Sequence, residues 1–255
     1  MNLNLSIKYQ LHDSKKPLLI FYLTIFLTTF SIILLTCLPK NNVISVKGSL
    51  QGIEAATAIF LLIAGMNSFK EVFRMFVQNG VSRKTMFIGR LVSVTLISMG
   101  MALVDSITAS LNKKIIHASS NLEYVRLIDM LYGSRYENYS SGFLRFVEGV
   151  LLLFCIYAAF SMMGYFITAL YYRMNKSTKI AVSVGVPAGL FVLLPVVDSF
   201  VFQGAIGRAI ERFMLFAFGF SNGANPYYAM VTMILSFAVF SGLSWLIVRK
   251  AVMKD

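Results

Sequence analysis

Four acidic residues have the clearest potential for chemistry in this sequence, because each lies within or beside a long apolar run. They are Glu54, Asp105, Glu148 and Asp198. A charge at the centre of a bilayer costs about 2.5–3.5 kcal/mol on insertion scales, so such residues are rare without a reason. A helix rises about 1.5 Å per residue, and on this count each of the four residues lies near the end of its run that is on the same side of the membrane. One interpretation pairs them at a wet interface with Arg145, Arg208 or Arg212. The other makes them an outer, acidic vestibule through which a cationic or amphipathic substrate leaves.

Hydrolytic and metal-dependent chemistry has little support elsewhere in the chain. His12 and His117 lie outside the apolar runs, and no two acids share a depth near the middle of a run. The phosphate-binding pattern G-x-x-x-x-G-K-[ST] does not occur, so no segment of this chain is expected to cradle ATP in the usual way. We therefore expect no catalytic residue, no cofactor and no metal in this chain.

The elements that position these acids are set by an unusual composition. Of the 255 residues, 57% are hydrophobic and 13% are charged, against about 45–50% and about 25% in soluble domains. The net charge of +12 comes from Lys and Arg scattered at the ends of apolar runs, which does not favour binding to nucleic acid. The sequence predicts one all-α polytopic membrane domain covering residues 1–255, with membrane lipids as its surroundings.

Six runs are long enough to cross about 30 Å of hydrocarbon. They cover approximately residues 17–38, 52–69, 86–111, 142–172, 180–202 and 227–248. Ser14 is the expected N-cap of the first span. A turn cluster at 221–226 separates the last span from residues 206–220, which are too short to cross and are expected to be re-entrant or interfacial.

The loop at 112–141 is predicted to hold an amphipathic helix that packs on the spans as a lid or binds a ligand. Its apolar residues have helical spacing: Leu122, Val125, Ile128 and Leu131. Span five contains Gly185 and Gly189, whose spacing permits close helix contact, either inside the chain or with a second unit.

The orientation follows from the basic residues. Placing the N-terminus inside puts 14 of the 23 Lys and Arg residues on the cytoplasmic side and 9 on the other, and basic residues favour the cytoplasm. Tyr171, Tyr172 and Trp245 then lie near the inner boundary, and Tyr227 and Tyr228 near the outer one. We expect both termini in the cytoplasm and loop 112–141 outside.

A short amphipathic helix is predicted between spans two and three, at residues 69–80. Phe69, Val72, Phe73 and Phe76 follow i, i+3, i+4, i+7 spacing, and charged residues take the other face. Gly80 suits the left-handed residue that ends the helix. Ser82 is expected to cap the next helix, which enters the membrane through Arg83, Lys84 and Arg90. One interpretation rests the Phe face on lipid, and the other adds docking of a cytoplasmic partner.

The stretch from Phe73 to Lys84, FRMFVQNGVSRK, resembles the F…NG-hydrophobic-SRK segment of six-span permeases in bacterial ATP-binding-cassette exporters of the second ABC permease type. In that family this segment is a coupling helix that sits in a groove of a separate ATPase subunit. The resemblance implies contact with an ATPase through a set of residues at 69–83: Phe69, Val72, Phe73, Arg74, Phe76, Asn79, Gly80, Ser82 and Arg83. It also implies an amphipathic N-terminal helix along the inner leaflet, to which residues 2–13 are similar, and re-entrant helices before the last span, to which residues 206–220 are similar. Loop 112–141 is longer than in many members.

The resemblance further implies a bacterial cytoplasmic membrane protein that works as a pair, either two copies or one copy with a sister permease. ATP and Mg would be bound by the partner ATPase. Amphipathic peptides, antimicrobials or lipid-like molecules would suit a surface rich in Phe and Met as export substrates. A stand-alone membrane immunity or stress protein is one alternative, and an intramembrane enzyme is another.

Overall fold

The computed structural model describes residues 3–37, 48–117, 122–136 and 141–251. Ten α-helices lie in these ranges. They are α1 (Leu3–Cys37), α2 (Ile53–Asn67), α3 (Lys70–Gln78), α4 (Arg83–His117), α5 (Leu127–Tyr136), α6 (Gly142–Arg173), α7 (Lys176–Ala188), α8 (Leu194–Phe200), α9 (Ala205–Ala217) and α10 (Pro226–Val248). Two short strands, β1 (Gly48–Gln51) and β2 (Leu122–Val125), a π-helical turn (Gly189–Leu193) and a 3₁₀ turn (Phe220–Asn222) complete the described elements.

Six helical segments in these ranges are long and apolar enough to cross a membrane. They are α1, α2 continued by α3, α4, α6, α7 continued through the π turn into α8, and α10. The prediction of a helical chain with six apolar segments is confirmed at this level. The observed bounds differ from the predicted ones by a few residues at most ends, and α4 runs on to His117, six residues into the expected loop.

Helix α6 is the centre of the bundle, and it packs along α2 and α10 and also contacts α4. Its crossing with α2 is very close because glycines meet backbone there. A Cβ placed on Gly164 would lie 2.9 Å from the carbonyl carbon of Leu62 and closer still to its oxygen. A Cβ on Gly65 would overlap the carbonyl of Ser161 in the same way. Small residues at a helix crossing allow backbones to approach, as is common in membrane bundles.

Residues 3–37 form one continuous helix, so no break separates the amphipathic helix expected at 2–13 from the first span. Ser14 does not cap a span, because it lies inside α1, where its Oγ donates to the carbonyl of Gln10 at 2.9 Å. The first turns also pack on the bundle: Gln10 Nε2 donates to the Met86 carbonyl at 3.3 Å, and the Tyr9 ring lies 5.8 Å from that of Phe76. These contacts hold the segment against α4 and α3.

The predicted helix across Leu122 and Val125 is also wrong. Residues 122–125 form β2, which pairs in parallel with β1, with Gly48 opposite Leu122 and Gln51 opposite Val125. Helix α5 starts only at Leu127. The partner strand β1 lies more than 70 residues before β2 in sequence, so the local periodicity of residues 122–125 cannot reveal the pairing. Residues 118–121 and 137–140 of the predicted loop lie outside the described residues.

Span five is interrupted and has few contacts with the rest of the chain. Pro187 and Pro195 flank the π-helical turn that joins α7 to α8, and each proline removes one backbone donor from the helix. No residue of the most apolar stretch of this span is buried in the described protein. Gly185 and Gly189 have nothing within 4 Å of an added Cβ, so close packing of this glycine pair inside the described chain is ruled out.

The turn before the last span is confirmed. Helix α10 begins at Pro226, and the Asn225 side chain caps it by accepting from the Tyr227 N–H at 3.2 Å. Gly219 and Gly223 have positive φ values of 74° and 73°, which lets the chain reverse between α9 and α10. With 13 residues, α9 is about 20 Å long and too short to cross a bilayer by itself.

Candidate functional site

Helix α3 lies at one end of the bundle, which is called here the α3 end. A turn of the chain before α3 and another after it set its position. Helix α2 stops at Asn67, and the chain turns through Ser68 and Phe69 into α3. Gly80 ends the segment with φ +66°, the left-handed conformation expected from the sequence. Ser82 Oγ accepts from the Thr85 N–H at 3.1 Å, so the predicted cap of α4 is confirmed. Both turns fix the direction of α3 relative to the spans on either side.

The Phe-bearing face of α3 is turned into the protein. Phe69 and Phe73 are each 1% exposed and Phe76 is fully buried. The Phe69 and Phe73 rings stack at 5.3 Å, and both meet Tyr172 of α6 edge-on at 5.4 and 5.5 Å. Tyr165, two turns before Tyr172 on α6, meets Phe69 at 5.3 Å. This face is covered by protein, so the interpretation that rests it on lipid is wrong.

The same cluster joins α3 to the last span. Val248, the last residue of α10, and Ala251, three residues beyond it, belong to the buried group around Phe73 and Phe76. The Arg83 guanidinium donates to the Arg249 carbonyl at 2.6 Å, which ties the start of α4 to the end of α10. Helix α3 therefore contacts α1, α4, α6 and the end of α10, besides following directly from α2.

The other face of α3 is exposed and polar. It carries Lys70, Glu71, Arg74 and Gln78, and the exposed surface continues through Asn79, Gly80, Ser82, Arg83 and Lys84. The nine predicted coupling residues thus divide into two groups. Phe69, Val72, Phe73 and Phe76 are buried and hold the helix, whereas Arg74, Asn79, Gly80, Ser82 and Arg83 are open to contact.

Asp105 lies in a hydroxyl-rich site between α1, α4 and α6. Its carboxylate accepts from the Tyr22 hydroxyl at 2.9 Å and from the Tyr157 hydroxyl. The Tyr157 oxygen also lies 3.3 Å from the Glu54 carbonyl oxygen. A carboxylate held by two phenols in a buried site is satisfied without a cation, which explains how Asp105 can be 6% exposed.

Glu54 lies in the first turn of α2, and its carboxylate also reaches the first residue of α5. Its carboxylate interacts with its own N–H in the first turn of α2 and with the N–H of Leu127, the first residue of α5. Helix N-termini favour negative charge because their N–H groups have no partner within the helix. Glu54 Oε2 has no hydrogen-bond partner among the described residues, and Glu54 and Arg126 line a cavity of about 10 Å³.

Glu148 forms a third buried contact set. It accepts from the hydroxyls of Tyr136 and Tyr227, the latter at 2.7 Å, and Arg135 lies 3.7 Å away. Burial, followed by the neighbouring Glu148, raises the pKa of Tyr136 above its ordinary value, so the phenol stays protonated and remains a donor.

Asp198, at the end of span five, binds backbone N–H groups, and none of the ion pairs among the described residues includes it. Its carboxylate accepts from the N–H groups of Ile206 at 2.8 Å and Gly207 at 2.7 Å, in the first turn of α9. Among the described residues, Arg145 pairs with Asp129 at 2.7 Å instead of with any of the four acids.

The four acids proposed for an outer vestibule are thus held by different partners among the described residues. The four carboxyl groups belong to separate contact sets, with only Glu54 and Asp105 as neighbours, and each residue is between 2% and 7% exposed. The sequence reasoning missed their partners, Tyr22, Tyr136 and Tyr157. A tyrosine among the phenylalanines of an apolar run was the available signal, because a buried hydroxyl needs a partner.

Within the described ranges, no three His, Cys, Asp or Glu side chains come together as a potential metal site. Comparisons with protein-family models, with curated proteins and with solved structures find no match to this chain.

Proposed function

We propose that the chain is the transmembrane permease subunit of an ATP-driven ABC exporter in the bacterial cytoplasmic membrane. Its two termini and α3 face the cytoplasm, and α3 is the coupling helix that an ATPase subunit contacts. ATP and Mg are bound by that subunit. The basic residues that crowd the α3 end support this orientation, because cytoplasmic loops carry the excess of Lys and Arg.

One observation carries the proposal: α3 is firmly attached on one face and open on the other. A helix that transmits force needs a rigid connection to the spans and a surface that another protein can reach. The packed rings of Phe69, Phe73 and Tyr172 supply the connection. The exposed charges of Lys70 and Arg74 supply the surface. A helix resting passively on lipid would present its apolar face to the acyl chains instead.

The attachment suggests how a displacement of α3 spreads through the chain. Because packed cores resist continuous deformation, α3 and the ends of the helices it touches are expected to move together. A shift of α3 would act on α6 through Tyr165 and Tyr172, and on α10 through Val248 and the bond from Arg83 to Arg249. Span movement of this kind opens the route to the outer side.

A second six-span unit, either another copy or a sister permease, completes the transporter. The support is span five, whose most apolar stretch has no buried residue in the described chain and whose Gly185 and Gly189 surface is open. An amphipathic peptide, antimicrobial or lipid-like molecule is the substrate class proposed, since the exposed apolar surface along the spans suits such a molecule.

The test reverses charge on the exposed face of α3 only. The double substitution Lys70→Glu with Arg74→Glu leaves the buried rings in place, so the fold should persist. In purification from the native host, we expect the wild-type chain to retain a protein that carries the phosphate-binding loop, and the double variant to lose it. The matched control is Arg212→Glu on α9, which is also exposed and should retain the partner.

Equal retention by the double variant and the control would contradict docking through α3. Absence of any ATP-binding protein from the wild-type complex, with the chain intact and folded, would favour a stand-alone immunity or stress protein. The substitution of Phe73 or Phe76 by Asp is a poorer test, because both rings are buried and their loss would damage the bundle itself.

A further inference from the structure

A half-enclosed pocket of about 260 Å³ lies beside α3, between α1, α2, α4 and α6. It is called here the Arg90 pocket. One wall is apolar and is formed by Leu18, Phe60 and Ile97. The other end is polar and is lined by Asp13, Ser14, Asn67, Ser68, Glu71 and Arg90. An apolar wall that leads to a polar end at the limit of the spans matches an amphiphile with a headgroup and a chain.

Arg90 is the deepest charged group in this pocket. It is 6% exposed, and its Nε has no hydrogen-bond partner among the described residues. Its guanidinium carbon lies 5.4 Å from the centre of the Tyr165 ring, which supports one face of the group. No carboxylate in the described ranges lies within 4.0 Å of Arg90. A buried guanidinium with donors to spare is a binding group for a phosphate, which it can meet with two parallel hydrogen bonds.

The remaining polar groups of the pocket favour a cation close to that phosphate. Asp13 and Glu71 are exposed at the mouth, and Asp13 interacts electrostatically with Arg90 without touching it. Ser14 and Ser68 donate their hydroxyl protons to Gln10 and Gly65 carbonyls, so both present lone pairs to the pocket. The mouth thus offers mainly acceptors, and the depth offers donors.

We propose that the Arg90 pocket binds a phospholipid whose zwitterionic headgroup ends in a primary ammonium, as in phosphatidylethanolamine. The phosphate lies against Arg90, and the ammonium lies between Asp13 and Glu71. An anionic headgroup would be repelled by the two carboxylates and attracted by only one guanidinium. A choline headgroup has no N–H to donate to the acceptors at the mouth. One acyl chain follows the apolar wall along Leu18 and Phe60. The inference goes beyond the exporter function and does not rest on it.

The test measures lipid affinity of the purified full chain by native mass spectrometry. Phosphatidylethanolamine, phosphatidylcholine and phosphatidylglycerol with identical acyl chains are added to the delipidated protein. The wild-type chain is expected to bind phosphatidylethanolamine at least about tenfold more tightly than the other two, since hydrogen bonds to charged groups are among the stronger ones. Equal affinity for all three lipids would mean ordinary surface lipid only and would overturn the proposal.

Two variants separate the parts of the headgroup. Arg90→Met should lower the affinity for phosphatidylethanolamine at least about tenfold. Lys84→Met, an exposed cation at the same end but outside the pocket, should leave it unchanged. Equal losses in these two variants would contradict a specific role for Arg90.

The double substitution Asp13→Asn with Glu71→Gln alters only exposed side chains, so it keeps the test decisive if Arg90→Met fails to fold. With both carboxylates neutralised and Arg90 retained, the preference should shift from phosphatidylethanolamine to phosphatidylglycerol. An unchanged preference in this variant would refute the placement of the ammonium.

Discussion

The crossing of α2 and α6 gives the most quantitative prediction, and Gly164→Ala is the substitution that tests it. The new methyl carbon would lie 2.9 Å from the Leu62 carbonyl carbon and 3.0 Å from the Met66 nitrogen, and closer still to the Leu62 oxygen. Ordinary contact of such a carbon starts at 3.4 Å, so these two distances alone require the helices to separate by at least 0.5 Å. The neighbours are helix backbone and cannot rotate away as a side chain would.

Overpacking of this kind costs about 1–3 kcal/mol. The replacement of a helical glycine by alanine stabilises the folded state by about 0.5–1 kcal/mol, because alanine loses less backbone entropy on folding. A net loss of about 2 kcal/mol follows when the steric cost is near the top of its range, as contact with backbone implies. At about 2–4 °C per kcal/mol for a chain of roughly this length, the midpoint of thermal unfolding should fall by about 4–8 °C.

The assay is thermal unfolding of the detergent-solubilised protein, followed by the loss of the monodisperse peak in size-exclusion chromatography. Gly65→Ala should behave like Gly164→Ala, because it would overlap the Ser161 carbonyl from the other side of the crossing. Gly100→Ala and Gly242→Ala are matched controls, since an added Cβ there meets nothing within 4 Å. If Gly164→Ala unfolds at the same temperature as the controls, the close crossing of α2 and α6 is incorrect.

Three further predictions concern the buried rings and hydroxyls. Phe76→Ala should cost about 3–5 kcal/mol of stability, whereas Phe200→Ala, at a position that is 85% exposed, should cost almost nothing in the same unfolding assay; equal effects would contradict the inward orientation of α3. Tyr157→Phe should lower stability by about 1–3 kcal/mol because Asp105 loses a buried donor, and an unchanged midpoint would show that this hydroxyl is not its partner. Burial raises the pKa of Tyr132 to about 12 from 10.0, so the folded state favours the neutral phenol, and its contribution to stability, complete below pH 10, should fall as the pH rises toward 12. Unfolding midpoints across that range should decline less steeply in Tyr132→Phe, and identical slopes would argue against a buried phenol there.

Features that depend on local sequence were predictable. The six apolar runs appear as helices of spanning length because hydrophobic length alone sets that property. The turn cluster at 221–226 precedes α10 as expected, since turn, capping and proline preferences act over a few residues. The positive φ of Gly80 and the cap by Ser82 follow the same local rules.

Features that depend on contacts between segments far apart in the chain were not predictable from the sequence. The pairing of β1 with β2 joins segments far apart in sequence, so no periodicity within 122–125 could distinguish strand from helix. Gly65 and Gly164 are isolated glycines, and only the knowledge that α2 meets α6 gives them significance. Gly185 and Gly189, the pair with the recognised spacing, make no close contact in the described chain.

Helix α3 and its apolar face were predictable from the sequence, but what covers that face was not. The spacing of Phe69, Phe73 and Phe76 correctly identifies one face of α3. An amphipathic pattern indicates that this face is buried. It does not show whether lipid, a partner subunit or the chain's own bundle covers the face. The structure assigns the Phe face to the bundle and moves the candidate contact surface to Lys70 and Arg74.

Site-directed cross-linking from the exposed face of α3 tests the central claim most directly. In native membranes, Arg74→Cys carrying a short photo-cross-linker should yield one major adduct, with an ATP-binding protein, and the cysteine should react only with reagents that reach the cytoplasm. The account is contradicted if the same cysteine is labelled from outside intact cells, or if it lies inside and no ATP-binding protein is captured.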